Sequence, residues 1–101
     1  MTTKLLIDQH ALAAFCRRHR IRNLSLFGSV LKGTARPDSD VDLLVEFEAG
    51  QKPGLIALAA MEDEISGLLG GRRVDLRTAE ELSRYFRDEV VRTAERQYGR
   101  D

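Results

Sequence analysis

Leu26-Phe27-Gly28-Ser29-Val30-Leu31-Lys32-Gly33-Thr34-Ala35-Arg36-Pro37-Asp38-Ser39-Asp40-Val41-Asp42-Leu43-Leu44-Val45-Glu46-Phe47 is the stretch from which the fold can be read. An apolar run ends at a Gly-Ser turn. A loop punctuated by Pro37 and Asp38 follows, and a second apolar run opens on two aspartates spaced i and i+2. Alternation of side chains along a strand puts Asp40 and Asp42 on one face, with Val41, Leu43 and Val45 on the other, toward a core. Two carboxylates on one face repel unless a cation lies between them. Mg²⁺ favours such an arrangement, with oxygen ligands from one or two carboxylates and the rest from water and substrate phosphates.

The Gly28-Ser29 turn adds a place for an anion. Gly28 closes a strand and Ser29 opens a short helix reaching about Gly33. Helix N-termini present unpaired N–H groups and a partial positive charge, which favour phosphate. Glycine permits close backbone approach, the Ser29 hydroxyl adds a donor, and Lys32 adds a cation one turn on. Taken alone, Asp-x-Asp reads as two solvated acids and Gly-Ser as an ordinary cap. Their conjunction points to a site that handles a nucleotide's phosphates.

Outward from this stretch, residues 8–19 read as a helix capped by Asp8, with Leu12, Phe15, Cys16 and His19 at helical spacing. Residues 24–28 read as a short buried strand and residues 41–47 as the clearest strand. After a turn at residues 50–54 comes a helix over residues 55–69. Its apolar stripe is Leu55, Leu58, Ala59, Met61, Ile65 and Leu68/Leu69, and Gly70-Gly71 stops it. Residues 73–77 form a third strand with Asp75 at its middle. Thr78-Ala79-Glu80-Glu81 has the form of a capping box. Leu82, Phe86, Val90, Ala94 and Tyr98 form an i, i+4 row that reads as a final helix over residues 85–98, with Phe86, Val90 and Ala94 in the core. Helices alternating with strands give a two-layer or three-layer α/β domain.

Asp75 is unexpected inside an apolar strand. If its strand neighbours residues 41–47, it completes a three-carboxylate cluster as metal ligand or general base. The structural alternative is an edge-strand acid paired with Arg73 or Arg77.

The chain has 101 residues, which fits one domain over residues 1–101 with little room for a separate acceptor-binding lobe. No apolar run approaches the ~20 residues of a membrane span. Residues 1–4 give no signal-peptide pattern. The single cysteine, Cys16, reads as a core residue, excludes an internal disulfide and suits a reducing cytoplasm. Formal charge is zero but uneven, because residues 38–64 hold eight acids against one base, Lys52. A zero total speaks against a dedicated nucleic-acid binder. His10 and His19 lack metal-ligand spacing with any other His or Cys, and the arginine cluster of residues 17–22 reads as a solvated face.

Gly-Ser-x3-Gly-x5-Ser-Asp-x-Asp-Leu-Leu-Val, followed by a strand with a third Asp, resembles the nucleotidyltransferase superfamily typified by DNA polymerase beta. It is similar, more narrowly, to the minimal nucleotidyltransferases of bacteria and archaea. The resemblance implies a nucleotidyltransferase fold, α/β, with a small mixed sheet flanked by helices. It implies two Mg²⁺ ions on Asp40, Asp42 and Asp75, and ATP phosphates bound by Gly28, Ser29, Lys32 and Ser39. Asp75 would assist an acceptor hydroxyl. Lys32 stands where the family often has arginine, keeping the charge but losing the two-pronged geometry. Minimal members commonly pair with a HEPN-domain toxin, which implies AMP transfer to a tyrosine of that partner, with the chain as antitoxin. Two other outcomes stay open: an antitoxin that neutralises by binding alone, and a transferase for a small hydroxylated acceptor such as an aminoglycoside.

Overall fold

Asp8 stands in extended backbone, and its carboxylate accepts a hydrogen bond from the His10 N–H at 2.9 Å. The first helix, α1 (Gln9–Arg18), therefore starts where the cap was expected, and Arg17 and Arg18 face the negative end of its dipole. The computed structural model describes residues 8–28, 40–85 and 87–99. After α1 come β1 (Ile21–Phe27), β2 (Val41–Phe47), α2 (Leu55–Leu68), β3 (Val74–Arg77), a 3-10 turn (Ala79–Glu81), α3 (Arg87–Thr93) and β4 (Glu95–Gly99). The expected Ser29–Gly33 helix lies outside the described residues.

The strands form one sheet in the order β3-β2-β1-β4. β1 runs antiparallel to both β2 and β4, whereas β2 and β3 are parallel and joined through α2. This is the small mixed sheet that the family resemblance implied, within the α/β class that the alternation of elements predicts. One face carries Ile21, Leu24, Leu26, Val41, Leu43, Val45, Val74 and Leu76, all buried against Leu12, Phe15 and Cys16 of α1 and Met61 and Ile65 of α2. A register shift between Ile21 and Asn23 lets Ile21 and Leu24 share that face although they are three residues apart. The opposite face carries Ser25, Phe27, Asp42, Leu44, Asp75 and Arg77, none of them buried. Both long helices pack on the first face, so the second is left for chemistry.

Three elements depart from the sequence reading. β1 begins at Ile21, three residues before expectation, because pairing with the end of β2 extends it. Leu55 is 82% exposed, so the buried stripe of α2 starts later, at Leu58. The final helix is shorter than expected. α3 stops at Thr93, and Glu95–Gly99 is strand β4 instead. Pairing with β1 covers that strand's otherwise open edge and sets Tyr98 opposite Leu24, against the core. Tertiary pairing wins here over an i, i+4 row that local spacing favoured. No described residue of α3 is buried, so Val90 is not a core residue, Ala94 beyond the helix is only half-buried, and Phe86 lies outside the described residues.

Candidate active site

Three strand ends meet at one end of the open face. β1 finishes at Phe27, which pairs with Asp42 near the start of β2; Asp42 in turn pairs with Asp75 on β3. Asp40 immediately precedes β2, and the Val41 N–H donates to the Arg73 carbonyl at 2.8 Å, locking the two strand starts together. Carboxylates 33 residues apart in sequence thus become lateral neighbours, because a parallel ladder sets residues level across adjacent strands.

Gly28 closes β1 with φ at +80°. A Cβ at that position would collide with the Asp42 carboxylate oxygen and would sit only 3.0 Å from its Cγ. Glycine is needed on both counts: the left-handed backbone, and the close approach of the Asp42 side chain. The turn end expected to hold phosphate therefore abuts the carboxylate expected to hold metal.

Electrostatics follow from this crowding. Partial burial pushes the Asp42 carboxyl up from its ordinary range, and the negative charges of Asp75 and Asp40 push it further; Arg77 offsets part of the rise. Arg77 lies two residues beyond Asp75 and so on the same face. Its Nη2 donates to Asp75 Oδ2 at 3.1 Å, and its Nη1 stands 3.7 Å from Glu81 Oε2. Arg73 Nε reaches Asp40 Oδ1 only at 4.0 Å from a largely exposed position. A cavity of about 280 Å³ borders the cluster, lined by Asp40, Glu62, Asp63, Arg73 and Asp75 among others. A larger groove of about 780 Å³ includes Ser25, Leu44 and Glu46 of the open face, with Thr78 and Val91 at its sides.

Of the residues singled out from the sequence, Gly28, Asp40, Asp42 and Asp75 come together. Ser29, Lys32 and Ser39 lie outside the described residues. Asp75 sits level with Asp42, the strand neighbourhood on which the cluster reading was conditional, and it also pairs with Arg77, as the structural alternative expected. Arg77 was considered only as that alternative partner. Its i+2 spacing from Asp75 on a strand was the signal that places it in the site.

The donor set suits a hard divalent cation. It consists of carboxylate oxygens only, on one face, with repulsion at Asp42 that Arg77 only partly offsets and a cradle at Gly28 that a side chain would fill. Among the described residues, no group of three or more His, Cys, Asp or Glu is drawn together tightly enough to hold a metal ion as it stands. The carboxylates are aligned but not closed on one another.

Comparisons with known proteins agree with this architecture. Residues 9–98 match the nucleotidyltransferase domain family. The protein adenylyltransferase MntA of Thermococcus cleftensis is 44% identical over 59 residues, 58% of this chain and 57% of that protein. The chain thus aligns with little more than half the length of that relative. A Methanocaldococcus jannaschii protein, named as a candidate protein adenylyltransferase, is 30% identical over 76% of this chain and 80% of its own length. A structure described as a candidate minimal nucleotidyltransferase superposes with a TM-score of 0.68 at 41% identity, covering 85% of each chain. A toxin–antitoxin structure with AMP-PNP gives a TM-score of 0.73 at 22% identity, over 94% of this chain and 76% of that one, a likeness of fold. Sheet order, carboxylate placement and these matches together establish that the chain belongs to the nucleotidyltransferase family.

Proposed function

We propose that this protein transfers AMP from ATP to a tyrosine hydroxyl of a partner HEPN-domain toxin in a Mg²⁺-dependent reaction, and so acts as its antitoxin in the cytoplasm. The observation that carries this reading is the level pairing of Asp42 with Asp75 beside Gly28. The name of the Thermococcus relative, a protein adenylyltransferase, supports the class of acceptor. The toxin–antitoxin structures that share the fold support a polypeptide partner.

In this reading Gly28, with Ser29, Lys32 and Ser39, binds the phosphates of ATP. Asp40, Asp42 and Asp75 hold two Mg²⁺ ions, which when bound neutralise phosphate charge and acidify the attacking hydroxyl. Asp75, farthest from Gly28 across the sheet, serves the acceptor side and receives the tyrosine proton. The new bond joins the tyrosine oxygen to the α-phosphorus. The α–β phosphoanhydride bond breaks, and pyrophosphate leaves. Positioning and charge neutralisation supply most of the rate, as phosphoryl transfer requires little covalent participation from the protein.

The test is intact-mass measurement of a HEPN-domain protein offered as partner, after incubation with the chain, ATP and Mg²⁺. AMP additions on a tyrosine are expected, and their loss with Asp40→Asn/Asp42→Asn. An unmodified partner that the doubly substituted chain still neutralises would replace this reading with neutralisation by binding alone.

A further inference from the structure

We infer that Arg77 is a positioning residue for Asp75, aiming the acceptor-side carboxylate from a fixed anchor at Glu81. This rests on the nucleotidyltransferase reading of the site. Glu81 is itself held, because its Oε1 accepts from both the N–H and the hydroxyl of Thr78, each at 3.2 Å, in the capping box of the 3-10 turn. Arg77 spans from this anchor to Asp75, one guanidinium nitrogen to each carboxylate. A planar guanidinium is suited to such a bridge, since its donors are fixed relative to one another. Arg73, more exposed than the half-exposed Arg77, offers a contrast: it meets Asp40 at one long contact and has no second anchor among the described ion pairs.

The bridge engages Asp75 Oδ2, so the carboxylate reaches the acceptor side with one oxygen already committed and its rotamer set. The arrangement has an opposite effect on cation binding. A resident positive charge beside one ligand weakens the hold on an incoming divalent ion. Positioning of the acceptor carboxylate and affinity for the metal are therefore set against each other at one side chain.

That opposition makes the test specific. Mn²⁺ binding to the full chain, alone and with ATP, is followed by the free-ion EPR signal for wild type, Arg77→Met, Arg77→Lys and Glu81→Gln. AMP transfer to the partner protein is followed in parallel. Arg77→Met is expected to bind Mn²⁺ about threefold or more tightly, because a nearby like charge is gone. Its kcat is expected to fall roughly ten- to hundredfold, as when an outer partner of a ligand is lost, with KM for ATP little changed. Arg77→Lys should retain wild-type Mn²⁺ affinity and recover only part of kcat. Glu81→Gln, which preserves the capping box, should lower kcat by a smaller factor. Arg77→Met with kcat within about twofold of wild type, or with kcat and Mn²⁺ affinity falling together, would overturn the inference. If wild type transfers no AMP at all, the functional reading fails by itself. The Mn²⁺ comparison still decides the role of Arg77, because unchanged or weaker binding by Arg77→Met overturns it.

Discussion

Asp42 and Asp75 are register partners on the parallel strands β2 and β3, so two carboxylates lie side by side on a face that no long helix covers. Like charges on paired strand residues are destabilising, and we take the magnitude as about that of a favourable cross-strand pair, ~0.2–1 kcal/mol. Asp42→Asn should therefore stabilise the metal-free chain, raising its thermal midpoint by roughly 1–8 °C for a domain of this size, while abolishing AMP transfer. Thermal melts in EDTA beside a transfer assay check both halves. An Asp42→Asn chain that melts lower than wild type would show that the carboxylate is a structural partner rather than a strained ligand.

Folding raises the Asp42 pKa, so the native state holds that proton more tightly than the unfolded chain does. Stability contributed by this group is thus greatest at low pH. It falls as pH rises from the unfolded carboxyl range through the raised folded value, and the penalty is complete above that value. Mg²⁺ needs the ionised form, so its stabilising effect should be large at neutral pH and fade on acidification through the same window. Melts across the acidic range with and without Mg²⁺ test this, and a Mg²⁺ shift that persists unchanged in Asp42→Asn would refute it.

Two glycines should respond to alanine with opposite signs. Gly28→Ala combines a left-handed φ with a collision against the Asp42 side chain, and should cost about 1–3 kcal/mol as well as ATP binding. Gly67 lies inside α2, with nothing within 4 Å of where a Cβ would stand. Gly67→Ala should stabilise by about 0.5–1 kcal/mol. Urea titration of the two variants measures the contrast, and equal effects would remove the case for Gly28 as a close-approach position.

Legibility in the sequence followed the range of the interaction. Asp8, Thr78 and Glu81 act within one turn of themselves, and their capping roles are written in local spacing. Asp42 and Val41 alternate over a strand whose period-2 pattern is unmistakable. The pairing of Asp75 with Asp42 needed only the inference that the third strand neighbours the second. β4 could not be read the same way. Tyr98 fits a helical row with Val90 and Ala94, and only the unfilled edge of β1 decides that it belongs to a strand. The Glu62 carboxylate, which accepts from the Leu76 N–H at 2.7 Å and caps the outer edge of β3, was equally silent. Its partner is a backbone group, and backbone groups leave no trace in side-chain patterns.

Cys16 offers a readout of the core independent of the site. It is fully buried between α1 and the sheet, and burial pushes its thiol pKa up to about 12, with Arg17 opposing only part of that rise. Thiolate is the reactive form, so both access and ionisation protect this residue in the native state. Thiol-specific reagents should modify Cys16 only as fast as the chain opens, and the rate should rise in urea in step with unfolding. Cys16→Ser should lower stability by about 1–3 kcal/mol, because it leaves a hydroxyl to find a partner in an apolar cluster. Rapid stoichiometric labelling under native conditions would contradict the packing of α1 on β1, on which the whole placement of the open face depends.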